Sequence, residues 1–294
     1  MTRRALLSTW TWDPTVIVGI AIAAWWYARG LGRLWGRAGV GRGVSRDQAL
    51  AFAGGLAVLV VALISPLDAL DTTLFSAHMA QHLLLMLVAA PLLVCGASLA
   101  PFLWALPLGW RRALSHAWQR SRVMHGAWRG MTHPMVVWLL NLAVLWAWHI
   151  PILYEAALRN DAIHAGEHLS LLGASLLFWW LLRPAGHRRL ARGIDVLYVF
   201  TIGLQMSVLG ALITFAGAPW YPVQEAQVAV WQLTPLEDQQ LAGLIMWIPS
   251  GVVYLLAIAF LFVAWLRAEE TAMRRLETRF ATGTVGRERA VNGE

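Results

Sequence analysis

The sequence predicts an all-α polytopic membrane protein, a bundle of seven transmembrane helices with an outside N-terminus and a cytoplasmic C-terminus. Three observations lead there. The 294 residues are 59% hydrophobic and only 13% charged, with a mean hydropathy of +0.57. Soluble domains sit near roughly 45–50% apolar and about 25% charged. The apolar residues come in runs close to the roughly 20 residues that a helix needs to cross a ~30 Å hydrocarbon core. Finally, the positive charges alternate from one connection to the next, as cytoplasmic and external loops do.

The runs lie at about 13–33, 48–65, 73–96, 134–151, 161–182, 194–216 and 239–266. The first carries Arg29 and Arg33, which must snorkel to an interface. A signal peptide behind Arg3 and Arg4 is the competing reading. No small-residue cleavage site follows the run, whereas five Arg do, so it reads as a retained span. The longest connection, 97–133, contains "LGWRRALSHAWQRSRVMHGAWRG", with Trp110, Leu114 and Trp118 at four-residue spacing among Arg. That pattern fits a basic amphipathic helix lying on the cytoplasmic leaflet, against a solvated connector as the plainer reading. Two units follow: a membrane domain over 1–267 and a charged cytoplasmic tail over 268–294 that extends the last helix.

Arg alone supplies the positive charge, for the chain has no Lys and a net charge of +7. Twenty of the 23 Arg fall on alternate connections: Arg29 to Arg46, Arg111 to Arg129, Arg183 to Arg192, and Arg267 to Arg289. Only Arg3, Arg4 and Arg159 fall on the other side. The rule that basic loops stay inside then sets the orientation, and an even number of spans would destroy the alternation. Arg placed between apolar runs points to membrane lipids as partners and not to nucleic acid. Lacking Lys, the chain cannot form a retinal Schiff base. Cys95 is the sole cysteine, which excludes an internal disulfide, a CxxC pair and a thiolate metal cluster.

Nine His are sorted by this topology. His116, His125, His133 and His187 fall among the cytoplasmic Arg. The other five are His78 and His82 near the start of the third span, His149 in "WAWHIP" closing the fourth, and His164 and His168 in "DAIHAGEHLSLL" opening the fifth. Five imidazoles from three spans therefore gather in the outer half of the membrane. Each H-x-x-x-H pair is i,i+4, so both rings leave one helix face and one helix can give two nitrogens to one metal. Polar groups in a span turn to the bundle interior or a wet cavity. The plainer reading is five packing or hydrogen-bonding histidines, with His149 simply wet at an interface.

Imidazole suits zinc, copper, iron and nickel; thioethers favour copper(I). Met79, Met86 and Met246 are thioether candidates, although Met is also ordinary core filler. Glu167 and Asp238 are placed to orient imidazoles through their second nitrogen. Asp68, Asp71 and Asp161 line the same entrance, and capping explains Asp71, Asp161 and Asp238 equally well.

Several stretches together resemble one family: "SPLD" at 65–68, "HMAQHLLLMLVAAPLLVCG" at 78–96, "WH" followed by Pro151, "HAGEHLSLLGASLLFWW" at 164–180 and "EDQQLAGLIMW" at 237–247. These are similar to the multi-span CtaG-like assembly factors of caa-type cytochrome c oxidase, over about residues 50–267. The single-span, cysteine-dependent copper chaperone of the same name is a different protein. The resemblance implies an oxidase maturation factor in the cell membrane, in bacteria the inner membrane, with an oxidase subunit as partner. It also implies roles for His78, His82, His149, His164, His168 and Asp238.

The residues themselves leave several functions open. One is a non-enzymatic copper handler using the five His, with Glu167, Asp238, Met79, Met246 and Asp68 as auxiliary groups. A second is a seven-span zinc hydrolase of lipid amides, with Glu167 or Asp68 as acid/base beside Ser76 and Ser170. A third is a haem protein ligated by His82 and His168. A channel is the last, with Gln205 the one polar group past the midplane.

Overall fold

The computed structural model describes residues 8–96, 99–183, 193–221 and 228–291. Arg3, Arg4, His187, Arg188, Arg189 and Arg192 lie outside the described residues, as do the side chains of Ala272 and of everything after Arg274. Among the described residues all regular structure is helical.

The chain enters α1 (Pro14–Ala38) through Asp13, whose carboxylate accepts the Thr15 N–H at 2.7 Å, with Pro14 at the first helical position. A reciprocal capping box between Ser45 and Gln48 starts α2 (Arg46–Leu63). Pro66 then breaks the helix, and Ser65 caps the short α3 (Pro66–Asp71), which turns two carboxylates toward the bundle. Next comes α4 (Phe75–Leu83), a π-helical segment (Leu84–Ala89) and α5 (Ala90–Gly96) in one run.

The π segment leaves one carbonyl to a tertiary partner. The Ala90 N–H bonds Leu85, five residues back, so the Met86 carbonyl would look to residue 91. That residue is Pro91, which has no N–H. The Trp179 indole donates to the Met86 carbonyl instead, at 2.9 Å.

The connection to the next span holds α6 (Leu99–Ala105), α7 (Leu108–Arg120) and α8 (Arg122–Met131). No side chain of α7 or α8 is buried, and Trp110 and Leu114 are exposed. Then follow α9 (Pro134–Trp148), α10 (Pro151–Arg159), α11 (Asp161–Leu181), α12 (Ile194–Thr214) and α13 (Pro235–Val291).

Among the described residues five helical stretches are long and apolar enough to cross a membrane: Pro14–Ala38, Arg46–Asp71, Phe75–Gly96, Ile194–Thr214 and Pro235–Thr271. A sixth results if α8 and α9, bent by 54°, count together. The count thus falls short of the seven expected from sequence. The reasons are specific. With 15 residues, α9 reaches about 22 Å and stops before His149. At 21 residues α11 is long enough, but Asp161, His164, Glu167 and His168 fill its first two turns.

The run from Phe75 to Gly96 is the most buried of the five and forms the centre of the molecule. On one side Met79, Leu83, Met86 and Leu87 join Leu171, Phe178, Ile202, Met206 and Tyr254 in the main apolar cluster. On the other, Leu85, Ala89 and Leu93 pack on Tyr27, Phe52, Leu59 and Ala62. A close crossing joins α12 and α13. A Cβ on Gly210 would meet the Gly243 carbonyl at 3.0 Å, and one on Gly243 the Gly210 carbonyl at 2.7 Å. Small residues let membrane helices approach this closely.

Candidate metal centre

The site is built on α4. Nothing in α4 itself caps its first turn; Asp238, at the start of α13, does so from 163 residues away. Its carboxylate accepts the Phe75 N–H at 2.7 Å, the Ser76 N–H at 3.2 Å and the Ser76 hydroxyl. Asp238 therefore positions the helix that carries His78 and His82, with its oxygens taken by that helix terminus. Gln81 fixes the opposite flank, donating to the Ala62 carbonyl at 2.8 Å and to Asp68 at 2.9 Å.

His78 and His82 lie one turn apart with ring centroids 4.2 Å from each other, and His164 and His168 repeat this on α11 at 4.3 Å. The two pairs face one another. His78 stacks on His164 at 5.5 Å, and His82 meets His168 edge-on at 5.5 Å. His149, at the end of α9, is 6.5 Å from His82. The five histidines singled out by sequence thus form one continuous group. His78 is fully buried, His82 and His149 nearly so, and His164 keeps 20% of its side chain accessible.

Two carboxylates run through the group. Glu167 Oε1 sits 3.4 Å from His78 Nε2 and 3.5 Å from His82 Nε2. Asp71 Oδ2 sits 3.3 Å from His164 Nε2 and 3.8 Å from His78 Nδ1. Two sets of three potential ligands result, Asp71–His78–His164 and His78–His82–Glu167, each with its ligand atoms within 4.8 Å of one another. His78 is common to both.

His149 differs. Its Nδ1 lies 2.7 Å from the Leu145 carbonyl, which can only accept, so Nδ1 carries the proton. In the neutral ring, Nε2 then turns a lone pair toward Met79 Sδ at 3.3 Å. A nitrogen and a soft sulfur face each other without a proton between them. The Tyr221 hydroxyl, donating to the His149 carbonyl at 2.8 Å, secures this corner.

The donor set fits a borderline or soft metal ion. Among the described residues no hydrogen bond reaches either ring nitrogen of His82, whose contact with Glu167 is one of charge, nor His168 Nε2, Glu167 Oε2 or the Tyr154 hydroxyl, all buried. Each such group costs about 1–3 kcal/mol if left unmet, and a cation held by these imidazoles and carboxylates would satisfy several of them at once.

The remaining candidates are placed as follows. Met246 is buried in the main apolar cluster, and Asp68 stands at the flank beside Gln81. His133 caps α9, and His125 packs on Trp118, both away from the cluster. Ser76 is bonded to Asp238; Ser170 donates to the Glu167 carbonyl and accepts the Trp148 indole at 2.8 Å. Both hydroxyls that a hydrolase reading would recruit are thus committed. Sequence reasoning passed over Asp71 as a ligand, because a cap explained it equally well. The available signal was "DALD", which puts Asp68 and Asp71 three residues apart on one face just ahead of the His-bearing helix.

Fold and cluster together define a multi-pass helical membrane protein with a buried histidine–carboxylate centre. More particularly, the chain belongs to the cytochrome c oxidase caa3 assembly factor family, whose model matches residues 25–268. It is also similar to uncharacterized proteins of Mycobacterium bovis and Mycobacterium tuberculosis, 24% identical over 281 residues. Those residues are 92% of this chain and 41% of each relative, so the chain spans about two fifths of the length of the curated relatives it matches. No solved structure matches it.

Proposed function

We propose that this protein supports cytochrome c oxidase maturation as a copper handler, receiving the ion at an outer-facing histidine cluster and holding it for an oxidase subunit. One observation carries this reading: five imidazoles and two carboxylates converge in a largely buried centre, and both His82 nitrogens and His168 Nε2 have no hydrogen-bond partner among the described residues. Copper is the cargo. His164, which keeps 20% of its side chain accessible, is the point of entry, and Asp71 beside it attracts the cation. His78, shared between the two ligand sets, links entry to interior. His149 and Met79 supply the nitrogen–sulfur pair that suits copper(I). Glu167 orients His78 and His82. Seven spans with the cluster opening outside, at a bacterial cell membrane, complete the proposal. No observation favours zinc-dependent amide hydrolysis.

The test is made in cells under copper limitation. Deleting the protein should leave the oxidase polypeptide synthesised but poor in copper and activity. His78→Ala and His164→Ala should reproduce that loss while the variants still accumulate in the membrane. Added copper should restore part of the activity, since mass action offsets an inefficient donor. A deletion strain whose oxidase is fully metallated under copper limitation overturns the proposal.

A further inference from the structure

The end of the molecule away from the histidines carries a group of arginines without carboxylate partners among the described residues. Arg33 and Arg37 of α1 and Arg111 of α7 line a cleft of about 400 Å³ together with Trp104, Leu106, Pro107 and Leu108. Arg111 and Arg37 both lie over the Trp104 ring, at 4.3 and 5.7 Å from its centroid. Arg33 donates to the Ala105 carbonyl at 2.7 Å, at the C-terminus of α6. Among the described residues none of the three has a carboxylate within ion-pair distance, and no acidic residue lines the cleft.

Placing like charges on one indole costs free energy, and the helix ends add to it. Helix α7 begins at this cleft behind Pro107 with no side-chain cap and no acidic residue in its first turn. Its first turn carries Arg111 instead, where the helix dipole disfavours a cation. An anion in the cleft would offset each of these at once: the paired guanidiniums, the free N–H groups of the α7 terminus and the dipole. Beside the cleft, Leu108 and Trp110 are exposed, with Trp110 at 68%. Apolar and aromatic side chains next to a phosphate-sized basic site match the headgroup–acyl boundary of a bilayer.

We infer that this cleft binds the phosphate group of an anionic phospholipid, anchoring α7 and the end of α1 at the membrane surface. The inference is independent of the metal reading.

The full-length protein, purified in neutral detergent, is offered phosphatidylglycerol, phosphatidylcholine or inorganic phosphate and examined by native mass spectrometry. Wild type should retain one phosphatidylglycerol in preference to phosphatidylcholine. At about fivefold per arginine, Arg37→Gln with Arg111→Gln should weaken retention roughly twentyfold. Arg37→Lys with Arg111→Lys should keep part of it, and Arg267→Gln, outside the cleft, should keep all of it. Unchanged helix content by circular dichroism shows that the glutamine variant is folded. Equal retention of phosphatidylcholine, or full retention of phosphatidylglycerol by the glutamine variant, overturns the inference. So does binding of inorganic phosphate alone, which would make the source a free anion.

Discussion

Glu167 stands between two imidazoles, 3.4 Å from His78 Nε2 and 3.5 Å from His82 Nε2, and in the proposed site it orients both rings. Glu167→Gln keeps the shape and removes the charge. Copper affinity of the purified protein, measured by competition with a chelator, should fall about 10–100-fold. An unchanged affinity would show that Glu167 neither orients nor ligates. Met79 allows a sharper distinction. Met79→Leu conserves volume in a site that is 2% exposed, so its stability cost should stay below about 1.5 kcal/mol. It removes the sulfur facing His149 Nε2, so copper(I) affinity should drop while zinc affinity stays as in wild type. Equal loss of both metals would point to a packing defect instead. The histidines were legible at this scale, since i,i+4 spacing puts both rings of a pair on one face wherever the helix goes. Asp71 was not, because its place between His78 and His164 depends on the turn at Pro66 and on α11 arriving opposite, neither of which is a local property of the sequence.

Among the elements, the π segment after His82 is held by a tertiary bond that can be isolated. Pro91 denies the Met86 carbonyl a backbone donor, and the Trp179 indole replaces it from α11. Trp179→Phe should therefore destabilise by about 1–3 kcal/mol beyond any packing loss, the cost of a buried unmet carbonyl. In a Pro91→Ala background the new N–H can serve that carbonyl, so the same Trp179→Phe change should cost much less. A double-mutant cycle on thermal or denaturant unfolding in detergent reads the difference directly. Additivity of the two changes would sink this account. The sequence showed an unbroken apolar run here, and one extra residue in a turn leaves no trace in hydrophobic periodicity. Asp238 illustrates the same limit. Its position at the mouth of the last helix was plain, and both a capping and an imidazole-orienting role were open. That it caps α4 and not its own helix is a tertiary fact spanning 163 residues.

At the scale of the whole molecule, the polar start of α11 and the shortness of α9 do not by themselves remove a crossing. Apolarity is needed where a helix faces lipid. The polar start of α11 does not face lipid at Glu167, which is fully buried against α4. Helix α9 is short, yet α8 continues it at 54° on one side and α10 on the other. Contacts also sort the chain ends into two groups. Near the histidines lie the Thr11–Ile64 bond, the Asp238 cap and the Trp220–Gln239 bond. Away from them lie the Arg33–Ala105 bond, the Tyr198–Pro134 bond and Gly193 against Trp265. Arg33, Arg37 and Arg111, which gather beside Ala105 and Leu106, belong to the second group, as the positive-inside rule needs if every helix of the bundle crosses. A reporter fused after Arg267 should therefore read cytoplasmic, and one fused after Gly217, at the end of α12, should read external. One inserted at Gly41, between α1 and α2, should again read cytoplasmic. Six crossings would put the Gly41 and Arg267 reporters on opposite sides. That outcome would remove the parity on which an outward-opening histidine cluster depends, whatever metal the cluster holds.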